Sequence, residues 1–221
     1  MKNGSASPIF VINKDSKKLE NTVFMQTPDG QDFHGHCGGI SVYKDKVYVA
    51  GGSDQCLYVF NKGDIKKGGD RTHVVYESVI SLKRQDDGVG VAFTTVHNDI
   101  LYAGEFYRLP NYPTSSTHTI TSSNTENHAL MVALDLQNNA EPVAVYSIPG
   151  KVQGLCFAEG KIYVSTSYAV ANSNIYVYDE SKLTHKGSLH LLDKDLPLYV
   201  LDDTCLCNTI TIAPMSEEIE F

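Results

Sequence analysis

Three stretches of the chain repeat one pattern. GGISVYKDKVYVA (38–50) aligns with QGLCFAEGKIYVS (153–165), placing Gly39 on Gly154, Ile40 on Leu155, Val42 on Phe157, Val47 on Ile162, Tyr48 on Tyr163 and Val49 on Val164. GVAFTTVHNDILYAG (90–104) reads as a third copy with two extra residues in its turn. In each, β-branched and aromatic residues flank a short run of Asp, Asn, Gly, Glu or Lys, the pattern of a β-hairpin. A third strand follows in every unit, as LYVFN (57–61), ALMVALDL (129–136) and IYVYD (175–179). A weaker fourth follows as THVVYESVISL (72–82), PVAVYSI (142–148) and HKGSLHLL (185–192).

Tyr48, Tyr102 and Tyr163 recur 54 and 61 residues apart, near or somewhat above the period of propeller blades. The expected fold is therefore all-β: a β-propeller of four-stranded antiparallel blades at about 36–83, 88–149 and 152–195. SPIFVINKDSKKLENTVFMQTPDG (7–30) matches strands three and four of a partial blade spanning 5–30, and TITIAPMSEEIEF (209–221) reads as the start of a further blade over 208–221. One domain over 1–221 follows, either a small ring of four or five units with one irregular, or part of a larger propeller.

The net charge of −8 comes with no dense Lys/Arg patch, which argues against nucleic acid as a partner, since phosphate affinity comes from clustered cations. A protein or a small molecule is the expected partner. No apolar run approaches the roughly 20 residues of a membrane span. The opening MKNGSASPIFVINKD has an apolar patch too short for a secretory core; a chain starting natively at Met1 is expected in the cytoplasm, and one truncated at its N-terminus could be secreted. Five cysteines, at 37, 56, 156, 205 and 207, form no Cys-x-x-Cys pair, so a disulfide framework is not expected.

GLCFAEGKIYVSTSYAVANSNIYVYDESKL resembles the repeat of the NHL and gluconolactonase-like β-propellers, whose blades run Gly-apolar, a turn, apolar-Tyr-Val, a polar loop and Ile-Tyr-Val-Tyr-Asp. The resemblance covers three blades and implies a fold. It brings no catalytic signature, and a calcium-ligand set of Glu, Asn and Asp at matched blade positions is not identifiable. The readings it leaves are a non-catalytic propeller that binds a ligand or partner, and a calcium-dependent hydrolase acting on a lactone or ester, for which calcium would be the cofactor.

In such a fold the loops entering each inner strand converge. Those loops bring His34, His36, Asp86, Asp87, Gln153, Glu217 and Glu218 toward one channel mouth. His34 and His36 face the same way if extended, as paired imidazole ligands require, although a strand-entry role needs no metal. Glu105 follows a second strand where the aligned copies have Gly and Thr, and beside Phe106 and Tyr107 it could serve as acid, base or calcium ligand. His36, Glu105 and Glu217 are the candidate metal ligands. RLPNYPTSSTHTITSSNTENH (108–128) is a long loop expected to lack regular structure; with Glu105, its flanking and internal Tyr107, Tyr112 and His128 are the binding-loop candidates, against a passive insertion or a lid.

Overall fold

The computed structural model describes residues 6–67, 69, 71–85 and 87–220. The chain opens with β1 (Pro8–Ile12) and β2 (Leu19–Gln26), then β3 (Ile40–Tyr43), β4 (Lys46–Ala50), β5 (Cys56–Asn61), a short helix α1 (Lys62–Lys67), β6 (Thr72–Val75) and β7 (Ser78–Ser81). β8 (Phe93–His97), β9 (Ile100–Gly104), β10 (Ile120–Ser122), β11 (Thr125–Asn127), β12 (Ala129–Asp135) and β13 (Glu141–Ile148) follow. β14 (Val152–Ala158), β15 (Lys161–Thr166), β16 (Ser173–Asp179), β17 (Thr184–Leu191), β18 (Lys194–Val200) and β19 (Leu206–Ile212) complete the series.

Four sheets stand in a ring as a four-bladed β-propeller. The N-terminal sheet is β1-β2-β6; the first full blade is β3-β4-β5-β7; the second is β8-β9-β12-β13 extended by β18-β17; the third is β14-β15-β16-β19. The three inner hairpins share one construction. Each turn has two residues, Lys44–Asp45, Asn98–Asp99 and Glu159–Gly160, bounded by the pairs Tyr43↔Lys46, His97↔Ile100 and Ala158↔Lys161. Both central residues have positive φ in the second and third turns, as a type I′ hairpin requires. The extra residues expected in the second turn instead precede β8, where Val91 forms a bridge to Gly52.

Three strand assignments change on folding. Residues 72–82 do not form one fourth strand: β6 pairs in parallel with β2, and β7 pairs antiparallel with β5. Between them the Tyr76 ring turns in against Tyr58, with centroids 4.9 Å apart. Residues 185–192 are not the outer strand of the third blade either. β17 and β18 form a hairpin whose β18 pairs with β13, because Leu191, Leu196, Leu198 and Val200 bury in the cluster that holds Val132 and Val145. The outer strand of the third blade is β19, paired with β16, where a new inner strand was expected.

The core lies between blades as three apolar clusters. One joins the N-terminal sheet to the first blade through Val23, Met25, Val49 and Phe60; a second joins the first and second blades through Leu57, Val91, Leu130 and Val132; a third joins the second and third through Phe93, Met131, Leu155 and Ile162. Inner strands approach so closely that a Cβ on Gly38 would lie 1.9 Å from the Ala92 carbonyl oxygen. No helix among the described residues is long and apolar enough to cross a membrane.

Candidate functional site

Loops that precede an inner strand and loops that follow a second strand open on the same side of each blade. That geometry places residues 32–39, 87–92, 149–153 and the turns after β4, β9 and β15 around one mouth. Beyond β19 the chain turns back over the third blade: the Ser216 N–H donates to Ser173 Oγ at 3.1 Å, and the Ser216 and Ser165 hydroxyls are 3.2 Å apart. Glu218 then enters the axis. A Cβ on Gly39 would meet its Oε2 at 2.5 Å and one on Gly154 its Oε1 at 2.4 Å, so only glycine at those two positions leaves room for the carboxyl group. Among the described residues neither oxygen has a partner of hydrogen-bond geometry. Burial therefore pushes the Glu218 carboxyl up to about 8; the backbone at Leu155 and Thr94 offsets this in part, and the charges of Glu220 and Glu217 add to it.

Beside the axis, Glu105 at the end of β9 is buried at 5% exposure. Its Oε2 accepts from Leu130 N–H at 2.9 Å and lies 2.9 Å from Nδ1 of His118, whose Nε2 lies 3.1 Å from Asp87 Oδ1. His118 is 1% exposed. Both of its ring nitrogens face carboxylate oxygens, so the imidazole is a double donor and carries a positive charge. Burial opposes that charge, but the hydrogen bonds and fields of Glu105 and then Asp87 outweigh it and hold the pKa above the ordinary histidine value. A ring bonded in this way has no lone pair left for a proton from elsewhere. Its two contacts join the 108–128 segment to Glu105 and Asp87.

That segment is not structureless. Ser115 caps a 3-10 turn over Ser116–His118, and β10 pairs with β11. The hairpin is pinned to the β18–β19 connection: Ser122 Oγ donates to Asp202 Oδ2 at 2.7 Å, Asn124 Nδ2 to Asp203 Oδ2 at 3.0 Å and Asn127 Nδ2 to the Leu201 carbonyl at 3.1 Å.

Glu105 and Asp87 thus meet through His118, a residue that the sequence reading did not single out. Its one signal was being a lone histidine inside a Ser/Thr-rich run. His34 and His36 are exposed on the rim, Gln153 is half-buried at the start of β14, and Glu217 is exposed in the tail. Asp86 lies outside the described residues. Among the described residues no group of three or more His, Cys, Asp or Glu side chains is arranged to hold a metal ion, and His36, Glu105 and Glu217 are not such a group. All five cysteines are free thiols. Tyr107 stacks on His128 with centroids 4.6 Å apart, and His128 also reaches Thr119 Oγ1 at 3.1 Å and Glu126 Oε1 at 3.3 Å. Tyr112 is exposed and meets Phe106 edge-on at 5.1 Å.

Between this segment and the loop after β15 runs a groove of about 640 Å³, lined by Tyr107, Arg108, His128, Lys151, Tyr168 and Asn172 among others. The Arg108 guanidinium lies 4.0 Å from the Tyr168 ring centroid, and its Nη1 donates to the Tyr168 hydroxyl at 3.3 Å.

No family model and no curated protein matches the sequence. Among solved structures, hydrazine synthase of Kuenenia stuttgartiensis is similar at TM-score 0.44 and 7% identity, over 93% of this chain and 43% of that one. Glutaminyl cyclase of Myxococcus xanthus is similar at TM-score 0.37 and 9% identity, over 73% of this chain and 51% of that one. The computationally designed Ika4 protein is similar at TM-score 0.37 and 10% identity, over 86% of this chain and 97% of that one. The chain thus spans about half or less of the two natural structures. The architecture rests on the strand pairing described above.

Proposed function

We propose that the protein is a non-catalytic binding propeller whose mouth, carried mainly by the 108–128 segment and the groove beside it, receives a ligand or partner. One observation carries this reading: the Glu105–His118–Asp87 chain of hydrogen bonds commits one oxygen of each carboxylate and both nitrogens of the buried imidazole to holding that segment in place. Groups bonded in this way build a rigid surface, and rigidity before binding lowers the ordering cost of binding. Catalysis would need one of them free to exchange protons with a substrate. The alternative of calcium-assisted lactone or ester hydrolysis would draw on the same carboxylates.

A small-molecule fragment screen followed by protein-observed NMR, run beside a lactone and ester turnover panel, tests the proposal. Bound fragments are expected to shift resonances of residues 105–128 and 150–176 without turnover. Hydrolysis that is lost in Glu105→Gln, or a calcium-dependent rise in Tm, would support the alternative and overturn the binding reading.

A further inference from the structure

The groove between the second and third blades has a distinct chemistry. Although the chain carries a net charge of −8, the groove is lined by Arg108, Lys151 and His128 with no Asp or Glu among its lining residues. Glu126 offsets only His128, at 3.3 Å. Arg108 and Lys151 have no carboxylate within ion-pair distance among the described residues. Arg108 is also held in place: its guanidinium lies over the Tyr168 ring and Nη1 bonds the Tyr168 hydroxyl, which leaves other donors for a second planar group. Such a fork matches a carboxylate with two parallel N–H···O bonds.

The remaining lining supplies what a sugar ring needs. Tyr107 and Tyr168 contribute aromatic wall, one face of each being already taken by His128 and Arg108, while Ser167, Asn172 and Asn174 offer donors and acceptors. The volume of about 640 Å³ falls within the roughly 300–1,000 Å³ typical of small-ligand sites and leaves room for more than one sugar ring. The amides of Arg108, Lys151 and Ser167 are already bonded to the carbonyls of Tyr112, Tyr107 and Lys151, so these three are not offered to a phosphate.

We infer that this groove binds an acidic oligosaccharide, with a ring carboxylate held by Arg108 and Lys151 and the sugar faces resting on Tyr107 and Tyr168. The inference rests on the binding reading above and names its ligand class.

Isothermal titration of the full chain with tri-galacturonate, with maltotriose as the neutral counterpart and inorganic phosphate as the bare anion, tests it. Tri-galacturonate is expected to bind, more weakly as salt rises, and the two comparators are not. Arg108→Gln is expected to weaken binding about tenfold or more, as loss of a charge-assisted bond does, and Lys151→Gln by less. Lys66→Gln, on the far helix α1, should change nothing, and thermal melting of each variant reports its folding. Equal binding of maltotriose or phosphate, unchanged affinity in folded Arg108→Gln and Lys151→Gln, or no binding of tri-galacturonate would each overturn the assignment. If the trisaccharide fails while other fragments still shift groove resonances, only the ligand class falls; hydrolytic turnover would sink the binding reading itself.

Discussion

At the scale of single residues, two buried titratable groups give opposite electrostatic signatures. His118 is held charged by Glu105 and Asp87, with its folded pKa above the unfolded value. Its contribution is complete below the ordinary histidine pKa of about 6.5 and is lost as pH rises through the raised folded value. Amide exchange across residues 114–128, after correction for intrinsic rate, should therefore quicken as pH rises through that value, and Glu105→Gln should flatten the dependence. Glu105→Ala leaves the imidazolium short of a partner, and a loss of about 3–5 kcal/mol in urea unfolding is expected. Glu218 is the reverse case: an acid enclosed without good partners, pushed up to about 8. Its protonated form fits the axis, so stability should fall as pH climbs from about 4.5 to about 8, with Glu217 and Glu220 adding repulsion. Glu218→Gln should remove that decline, leaving a higher Tm than the parent at alkaline pH; coincident Tm–pH curves would refute the enclosed-acid account.

Among the strands, periodicity was informative where both faces of a hairpin are buried. β4, β9 and β15 read correctly because Val47–Ala50 and Leu101–Gly104 are packed from both sides and Tyr163 is half-buried between buried Ile162 and Val164, so apolar residues run almost without a break. Outer strands were harder to place. LCNTITI and HKGSLHLL both mix apolar with polar residues, yet the former completes the third blade while almost wholly exposed and the latter does not belong to that blade. What placed β17 and β18 was long-range packing of leucines on the second blade, and no local pattern reports which neighbour a leucine will find. The assignment can be checked directly. Leu198→Ala should cost about 2–5 kcal/mol. Leu198 is paired in register with Val145, so Leu198→Ala and Val145→Ala should be non-additive in a double-mutant cycle. His118 was invisible for a related reason: its partners come from positions 87 and 105, and a single histidine in a polar loop carries no period to read.

Taken as a whole, the molecule has, among the described residues, four sheets in its ring besides the β10–β11 hairpin, and three apolar interfaces. The free face of the N-terminal sheet keeps Phe10 at 59% exposure, which no inter-blade cluster covers. On the inner side the tail makes up the difference: Ser216 covers the buried hydroxyls of Ser165 and Ser173, and Glu218 is wedged against the first and third blades at Gly39 and Gly154. Gly154→Val should expel that wedge. The expected readout is a lower Tm together with faster limited proteolysis within residues 213–220, and an unchanged cleavage rate would show that the tail is held by other means. The wedge also has a mechanical meaning, because the first and third blades share none of the three apolar clusters and the Glu218 carboxyl touches both, at Gly39 and Gly154. A displacement of either blade is thereby felt by the other across the axis, as two arms of an arch feel one another through a keystone.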